Sequence, residues 1–192
     1  GRVVLMDGGA TYGRFGMGRG VVAPFLWNRG IRTIDQVIGT HPQLDHVGGL
    51  AWVVRHFIVK RYWGSGEARE ELFYQRLQQS LVAQGLQEVV AREGQEIVSS
   101  GPCRMVVLNP PVGENLDGPV QESHLDGHRL NNRSVVTRLT CGIHTMLFAA
   151  DVEVIAAGGH HTVRAAKKAT ASIPIVMTIG PDSVAGGLVA SL

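Results

Sequence analysis

The chain has 192 residues, of which 44% are hydrophobic and 18% charged, a composition typical of a globular domain and not of a disordered segment. Its net charge of +2, from 18 basic and 16 acidic residues, gives no argument for a polyanionic partner, so any nucleic-acid contact requires a local patch. No apolar run approaches the roughly 20 residues of a membrane-spanning helix. We therefore expect residues 1–192 to form a single soluble domain.

The first half of the chain alternates apolar runs with amphipathic stretches, separated by turn residues. This pattern predicts strands at residues 3–6, 34–39 and 58–63, helices at 21–29, 45–57 and 67–83, and a glycine- and arginine-rich loop at 13–20. Residue 3 already lies in a predicted strand, and no methionine starts the chain. We therefore expect a fragment of a longer protein, truncated at the N-terminus.

Short strands predominate in the second half. They are predicted at 88–91, 96–99, 104–108, 134–140, 145–149, 154–156 and 173–179, with one helix at 162–171 and a long loop at 109–130. Two cysteines, Cys103 and Cys141, either pair or stay free. Strands and helices mixed in this way predict an α+β fold in which helices cover two sheets, an αββα sandwich.

The segment at residues 40–50 carries the strongest chemical signal. It places His41, Asp45 and His46 within six residues, directly after the buried strand predicted at 34–39. In open α/β sheets, ligands bind at the carboxyl ends of strands. Imidazole and carboxylate together suit zinc or manganese better than calcium. The alternative is a polar loop in which Asp45 caps the following helix.

A hydrolytic metal site also requires a bridging carboxylate and further imidazoles from elsewhere in the chain. Asp151 follows the apolar strand predicted at 145–149, and His160 and His161 follow another short apolar run. Taken alone, Asp151 is equally consistent with a strand end, and the two histidines with a surface turn. Combined with the first loop, the order His-x-x-x-Asp-His, then Asp, then His-His is much more specific.

Several segments together resemble a known family. Leu5–Gly9 resembles an opening "LIDGG" strand, residues 40–50 a "THPxxDHxGGL" loop, residues 131–136 an "NNxSxV" element and residues 148–153 an "LLTGDIE" strand. These motifs are similar to those of the metallo-β-lactamase fold. Their combination resembles the metallo-β-lactamase-like domain at the C-terminal end of the ComEC DNA-internalisation (competence) proteins.

The resemblance implies two divalent metal ions, zinc or manganese. The implied ligands are His41 and Gln43 for one ion, Asp45 and His46 for the other, Asp151 as the bridge, and His160 or His161 to complete the shell. Asp45 would also hold the attacking hydroxide and accept its proton. The remaining implied site residues are Asp7, which would orient a ligand, and the hydrogen-bond donors Asn131, Asn132 and Ser134, which would line the cleft.

The resemblance further implies a metal-dependent nuclease or phosphodiesterase that acts on DNA during uptake. The domain would lie on the extracytoplasmic face of the bacterial cell membrane, attached to the membrane-embedded remainder of the same protein. Two alternatives stay open. One is a hydrolase of the same fold that acts on a small ester, thioester or lactam. The other is a metal-depleted, non-catalytic domain that only binds DNA or packs against the channel.

The chain departs from the family pattern at several places, among them two near the implied ligands. Gln43 stands where relatives carry Asp or His, and a neutral amide is a poor metal ligand. Ala149 and Ala150 replace the small residue and glycine that precede the bridging aspartate, which removes a backbone position of high conformational freedom. These departures are the reason to keep the metal-depleted alternative.

Overall fold

The computed structural model describes residues 1–113, 130–152 and 175–179 of the chain. The strands are β1 (Arg2–Met6), β2 (Thr11–Tyr12), β3 (Phe15–Gly16), β4 (Thr33–Ile34), β5 (Gln36–Ile38), β6 (Ile58–Val59), β7 (Tyr62–Gly64), β8 (Glu88–Val90), β9 (Glu96–Ser100), β10 (Cys103–Asn109), β11 (Val136–Cys141), β12 (His144–Phe148) and β13 (Ile175–Ile179). The helices are α1 (Ala23–Asn28), α2 (Leu44–Val47), α3 (Leu50–His56) and α4 (Leu72–Ala83), and a π-helix spans Gly18–Val22. The strand predicted at 154–156, the helix at 162–171 and most of the loop at 109–130 lie outside the described residues.

The first sheet has five strands in the order β13-β1-β5-β7-β8. Strands β1, β5, β7 and β8 are parallel, and β13 runs antiparallel to β1. Because parallel strands end at the same edge of a sheet, the residues that follow β1 and β5 are neighbours. The amide of Asp7 accordingly donates to the carbonyl of Ile38 at 2.8 Å. This edge carries the residues of interest.

The second sheet is antiparallel, with the order β12-β11-β10-β9. It packs against the first sheet through a buried cluster in which Ile38 and Trp63 meet Met105 and Leu139. The register of β10 and β11 places Cys103 opposite Cys141, and the two form a disulfide across 38 residues of sequence. The pairing that the sequence left open is therefore a cross-strand bond within this sheet.

Helices cover the other face of the first sheet. A second buried cluster joins Leu5 and Val37 of the sheet to Leu26 of α1, Val53 of α3 and Leu77 of α4. The described layers are thus helices, parallel-rich sheet and antiparallel sheet, with an apolar core in each of the two interfaces. The predicted α+β fold is confirmed.

Two predicted elements are more divided than their hydrophobic pattern suggested. The strand predicted at 34–39 is interrupted at Asp35, whose carboxylate accepts the amide proton of Val3 at 2.8 Å and so replaces a bond between strands. The helix predicted at 45–57 divides into α2 and α3 at Gly48 and Gly49. A side chain on Gly49 would lie 2.1 Å from the carbonyl oxygen of Gly8, so glycine permits this close approach of two backbones.

The loop predicted at 13–20 is wrong in its first and last parts. Residues 11–16 form the hairpin β2–β3, and the π-helix begins at Gly18. The glycine-rich composition favours a loop, and both elements are only a few residues long, so the sequence pattern did not predict them. In the described part of the chain, no helix combines the length and apolarity needed to span a membrane.

Candidate metal centre

Asp7 is the hub of the edge where β1 and β5 end. Its backbone is left-handed, with φ of 58°, which turns the carboxylate toward the loop after β5. Oδ1 accepts the amide proton of Thr40 at 2.8 Å, and Oδ2 accepts the Thr40 hydroxyl and His46 Nδ1, each at 2.8 Å. The side chain is nearly inaccessible to solvent. A buried carboxylate with three donors is well satisfied, so it holds these groups in fixed positions.

The Thr40 hydroxyl connects this hub to the second imidazole. Since its proton goes to Asp7, its oxygen is left to accept from His41 Nδ1, which lies 3.1 Å away. Both imidazoles therefore turn Nδ1 toward the hub, and each turns Nε2 away from it. A carboxylate or hydroxyl on one ring nitrogen is the usual means by which proteins orient a histidine that binds metal through the other.

His41, His46 and Asp151 meet on the far side of the two imidazoles. Their potential ligand atoms all lie within 4.8 Å of one another, and the two imidazole centroids are 4.0 Å apart. Asp151 reaches this point from the turn that follows β12, which places its Oδ2 3.3 Å from His46 Nε2. The structure thus brings together two residues of the first loop and one that is more than a hundred positions away.

Nε2 of His46 provides a test of whether a cation fits this cluster. The nitrogen is buried and has no hydrogen-bond partner among the described residues, although Asp151 lies close to it. Two ligands that share one tetrahedral ion at bond lengths of about 2.0–2.1 Å lie roughly 3.4 Å apart. The observed 3.3 Å separation matches that spacing. The donor set, its burial and the spacing of His46 Nε2 from Asp151 therefore fit a divalent metal of the zinc type.

The charges of the cluster depend on the same contacts. Burial alone would lower the pKa of His46, but the carboxylates of Asp151 and Asp7 outweigh it and raise that pKa to about 10. Burial and the neighbouring His46 hold the pKa of His41 below its ordinary value. The contact with His46 likewise holds the pKa of Asp151 below its ordinary value. Without metal, a proton on His46 balances the two carboxylates, and a divalent cation would replace that proton.

Gln43 and Asp45 border the cluster. Oε1 of Gln43 lies 3.1 Å from His41 Nε2, so the amide occupies the open side of that imidazole. Oδ2 of Asp45 lies 3.9 Å from His46 Nε2, and its side chain is 42% exposed. Asp45 is therefore the carboxylate of this loop that solvent reaches. His160 and His161, the other predicted ligands, lie outside the described residues.

The predicted substrate-binding residues Asn131, Asn132 and Ser134 lie beside the same loop. The amide of Val135, just after them, donates to the carbonyl of Thr40 at 2.8 Å. Asn132 is exposed, Asn131 is partly buried, and the hydroxyl of Ser134 is fully buried without a hydrogen-bond partner among the described residues. Arg133 fixes this segment through an ion pair with the buried Glu67 at 3.1 Å.

The network also shows two features that sequence reasoning missed. Thr40 bonds to Asp7, His41 and the amide of Val135, which precedes β11, yet the sequence analysis assigned no role to it within the motif. Its signal was a polar residue at the end of a buried strand. Ala150 adopts a left-handed backbone, with φ of 47°, directly before Asp151. The missing glycine was visible in the sequence, but the backbone conformation was not.

Comparison with known proteins gives a family and similarity to solved structures. The family model of the metallo-beta-lactamase superfamily matches residues 1–182. Among solved structures, a mutant of CmlA beta-hydroxylase is similar over all of this chain, with 17% sequence identity and a TM-score of 0.44, and the chain covers 36% of that protein. No curated protein matches the sequence. Because the family model spans nearly the whole sequence, the chain belongs to the metallo-β-lactamase superfamily.

Proposed function

We propose that this chain is a metal-dependent hydrolase that cleaves phosphodiester bonds of DNA. The observation that carries the metal-dependent part is the compact cluster of His41, His46 and Asp151, whose potential ligand atoms all lie within 4.8 Å of one another. Members of the superfamily bind divalent metals, and this cluster is the candidate site for them here. We further propose that the site holds two ions, zinc or manganese. They would be held by His41, Gln43, Asp45, His46 and Asp151, with His160 or His161 completing the shell.

Such ions, when bound, lower the pKa of a coordinated water toward neutrality and neutralise charge that develops on the reacting oxygens. The residues of the chain supply the remaining functions. Asp7 and Thr40 orient the two imidazoles through the bonds described above. Asp45, partly exposed and 3.9 Å from His46, would accept the proton of an attacking water.

DNA as the substrate rests on the sequence resemblance to the ComEC proteins, which includes the loop at residues 40–50 and the segment at 131–136. The same resemblance supports attachment to a membrane-embedded remainder on the extracytoplasmic side. The disulfide between Cys103 and Cys141 supports that location, because disulfides persist in oxidising compartments and are rare in the bacterial cytosol.

Parallel assays with DNA and small esters test the proposal. The purified chain is analysed for zinc and manganese and then incubated with manganese and either single-stranded DNA or a panel of ester, thioester and lactam substrates. We expect at least one equivalent of metal and cleavage of DNA, with activity falling at least about 100-fold in the variant His46→Ala. The matched control His144→Ala changes an exposed histidine on β12 and should keep full activity.

Two results would reject parts of this proposal. Hydrolysis of a small ester without cleavage of DNA would show that the substrate is a small ester, thioester or lactam and not DNA. Less than one equivalent of metal, with no hydrolysis of any substrate, would assign the non-catalytic alternative and remove the metal-dependent function altogether.

A further inference from the structure

One segment of the chain is strongly basic although the whole molecule is nearly neutral. Between residues 8 and 34 there is no Asp or Glu, whereas the chain as a whole carries 16 acidic residues. The segment contains four exposed arginines, Arg14, Arg19, Arg29 and Arg32. Arg14 and Arg19 form no ion pair with any of the described residues. The segment is thus basic along the sequence, and its exposed Arg14 and Arg19 offer positive charge to a polyanion.

The same segment exposes aromatic rings. Tyr12 is 64% exposed and Phe15 is 59% exposed, and they face each other across the β2–β3 hairpin. Directly opposed residues of an antiparallel pair lie on the same face, and Gly13 and Arg14 form the turn that joins the two positions. Phe15 also lies over Gly20, where an added side chain would approach its ring to 3.0 Å. Two exposed rings with an arginine between them match the way proteins stack unpaired bases.

The hairpin is fixed against the candidate metal centre. The Thr11 hydroxyl donates to the carbonyl of Gly48 at 2.9 Å, and the amide of Gly49 donates to the carbonyl of Gly9 at 2.7 Å. After the hairpin, Gly18 approaches Gly49 so closely that a side chain on Gly18 would lie 2.1 Å from its oxygen. Both ends of the hairpin therefore contact Gly48 and Gly49, two and three residues after His46, which fixes the base of the hairpin to the loop that carries the cluster.

We infer that the hairpin, with Tyr12, Arg14 and Phe15 at its tip and Arg19 behind it, binds single-stranded nucleic acid and leads it to the metal centre. The inference deepens the proposed function and rests on it for the chemistry at His46. Positive charge alone suits any polyanion, but exposed π-faces add stacking, which unpaired bases offer and a closed duplex does not. An anionic membrane surface is the competing occupant, because aromatic and basic side chains also bind lipid interfaces.

Binding is measured by fluorescence anisotropy of a labelled oligo(dT) with the full chain in EDTA, so that neither metal nor cleavage contributes. The double variant Tyr12→Leu/Phe15→Leu keeps apolar area but removes both π-faces, and we expect it to weaken binding about 10-fold or more. The variant Arg14→Gln should weaken binding and reduce the slope of log K against log salt by about one. The controls Ile143→Ala and Arg138→Gln change exposed residues of the other sheet and should stay within twofold of the wild type.

A second arm uses vesicles that contain phosphatidylserine. Equal oligonucleotide affinity in the wild type and the double variant overturns the inference, as does binding to vesicles but not to oligo(dT). Thermal melts followed by circular dichroism establish that each variant is folded. Hairpin-dependent binding by a chain that takes up no metal and cleaves nothing would reject the proposed function and keep this inference. Cleavage of DNA without any dependence on the hairpin would reject this inference and keep the proposed function.

Discussion

The variant Thr40→Val tests the role of the hydroxyl that joins Asp7 to His41. Valine has nearly the shape of threonine, so the change removes one oxygen at a position that is 1% exposed. The lost bond to the Asp7 carboxylate, at 2.8 Å, is worth about 1.5–3 kcal/mol, and the lost bond from His41, at 3.1 Å, about 0.5–1.5 kcal/mol. We expect the free energy of unfolding to fall by about 2–4 kcal/mol.

Metal affinity provides the second readout for Thr40. Mutation of a group that hydrogen-bonds to a metal-binding histidine typically lowers metal affinity about 10–100-fold. Thr40→Val should therefore weaken zinc binding by about that factor, measured by competition with a chromophoric chelator. Thr40→Ser keeps the hydroxyl and loses only a buried methyl, so it should cost about 1 kcal/mol and leave zinc affinity nearly unchanged. If Thr40→Val were no less stable than Thr40→Ser and bound zinc equally well, the hub described here would have no energetic role.

Three further changes have definite expected outcomes. Ala150→Gly should raise the free energy of unfolding by about 1 kcal/mol in urea titrations, because glycine adopts the positive φ of this turn without strain, and no gain would refute that strain. Burial raises the pKa of Glu88, so the folded chain keeps that proton to higher pH than the unfolded chain, and wild-type stability falls as pH rises through the raised pKa. Glu88→Gln removes this loss and should gain in stability relative to the wild type as pH rises above the ordinary glutamate pKa; a stability difference that does not change with pH would contradict the reasoning. Replacing both Cys103 and Cys141 by serine opens a loop of 38 residues and should cost about 4 kcal/mol, whereas an unchanged urea midpoint would show that the disulfide does not stabilise the fold.

The sequence was informative where chemistry and local pattern coincide. His41, Asp45 and His46 lie within six residues and follow an apolar strand, so the carboxyl edge of the sheet could be predicted from residue types alone. Asp151 was predicted by the same rule at the end of β12, and the structure places it 3.3 Å from His46. The roles of these residues toward a metal stay predictions.

The parts that the sequence did not determine depend on contacts between distant segments. Nothing in the local pattern shows that Thr40 lies between Asp7 and His41, because that arrangement requires β1 and β5 to be neighbours. Gly48 and Gly49 divide a helix because another backbone approaches them, which hydrophobic periodicity does not record. The same holds for the cysteine pair, since only the register of β10 and β11 brings the two sulfurs together.

The most direct test of the central claim is anomalous scattering from crystals of the chain, recorded at the zinc and manganese absorption edges. The account predicts a peak about 2.0–2.2 Å from Nε2 of His46 and from a carboxylate oxygen of Asp151, with His41 also among its ligands. A map without a peak at this position, in crystals grown with both metals, would contradict the metal centre proposed here.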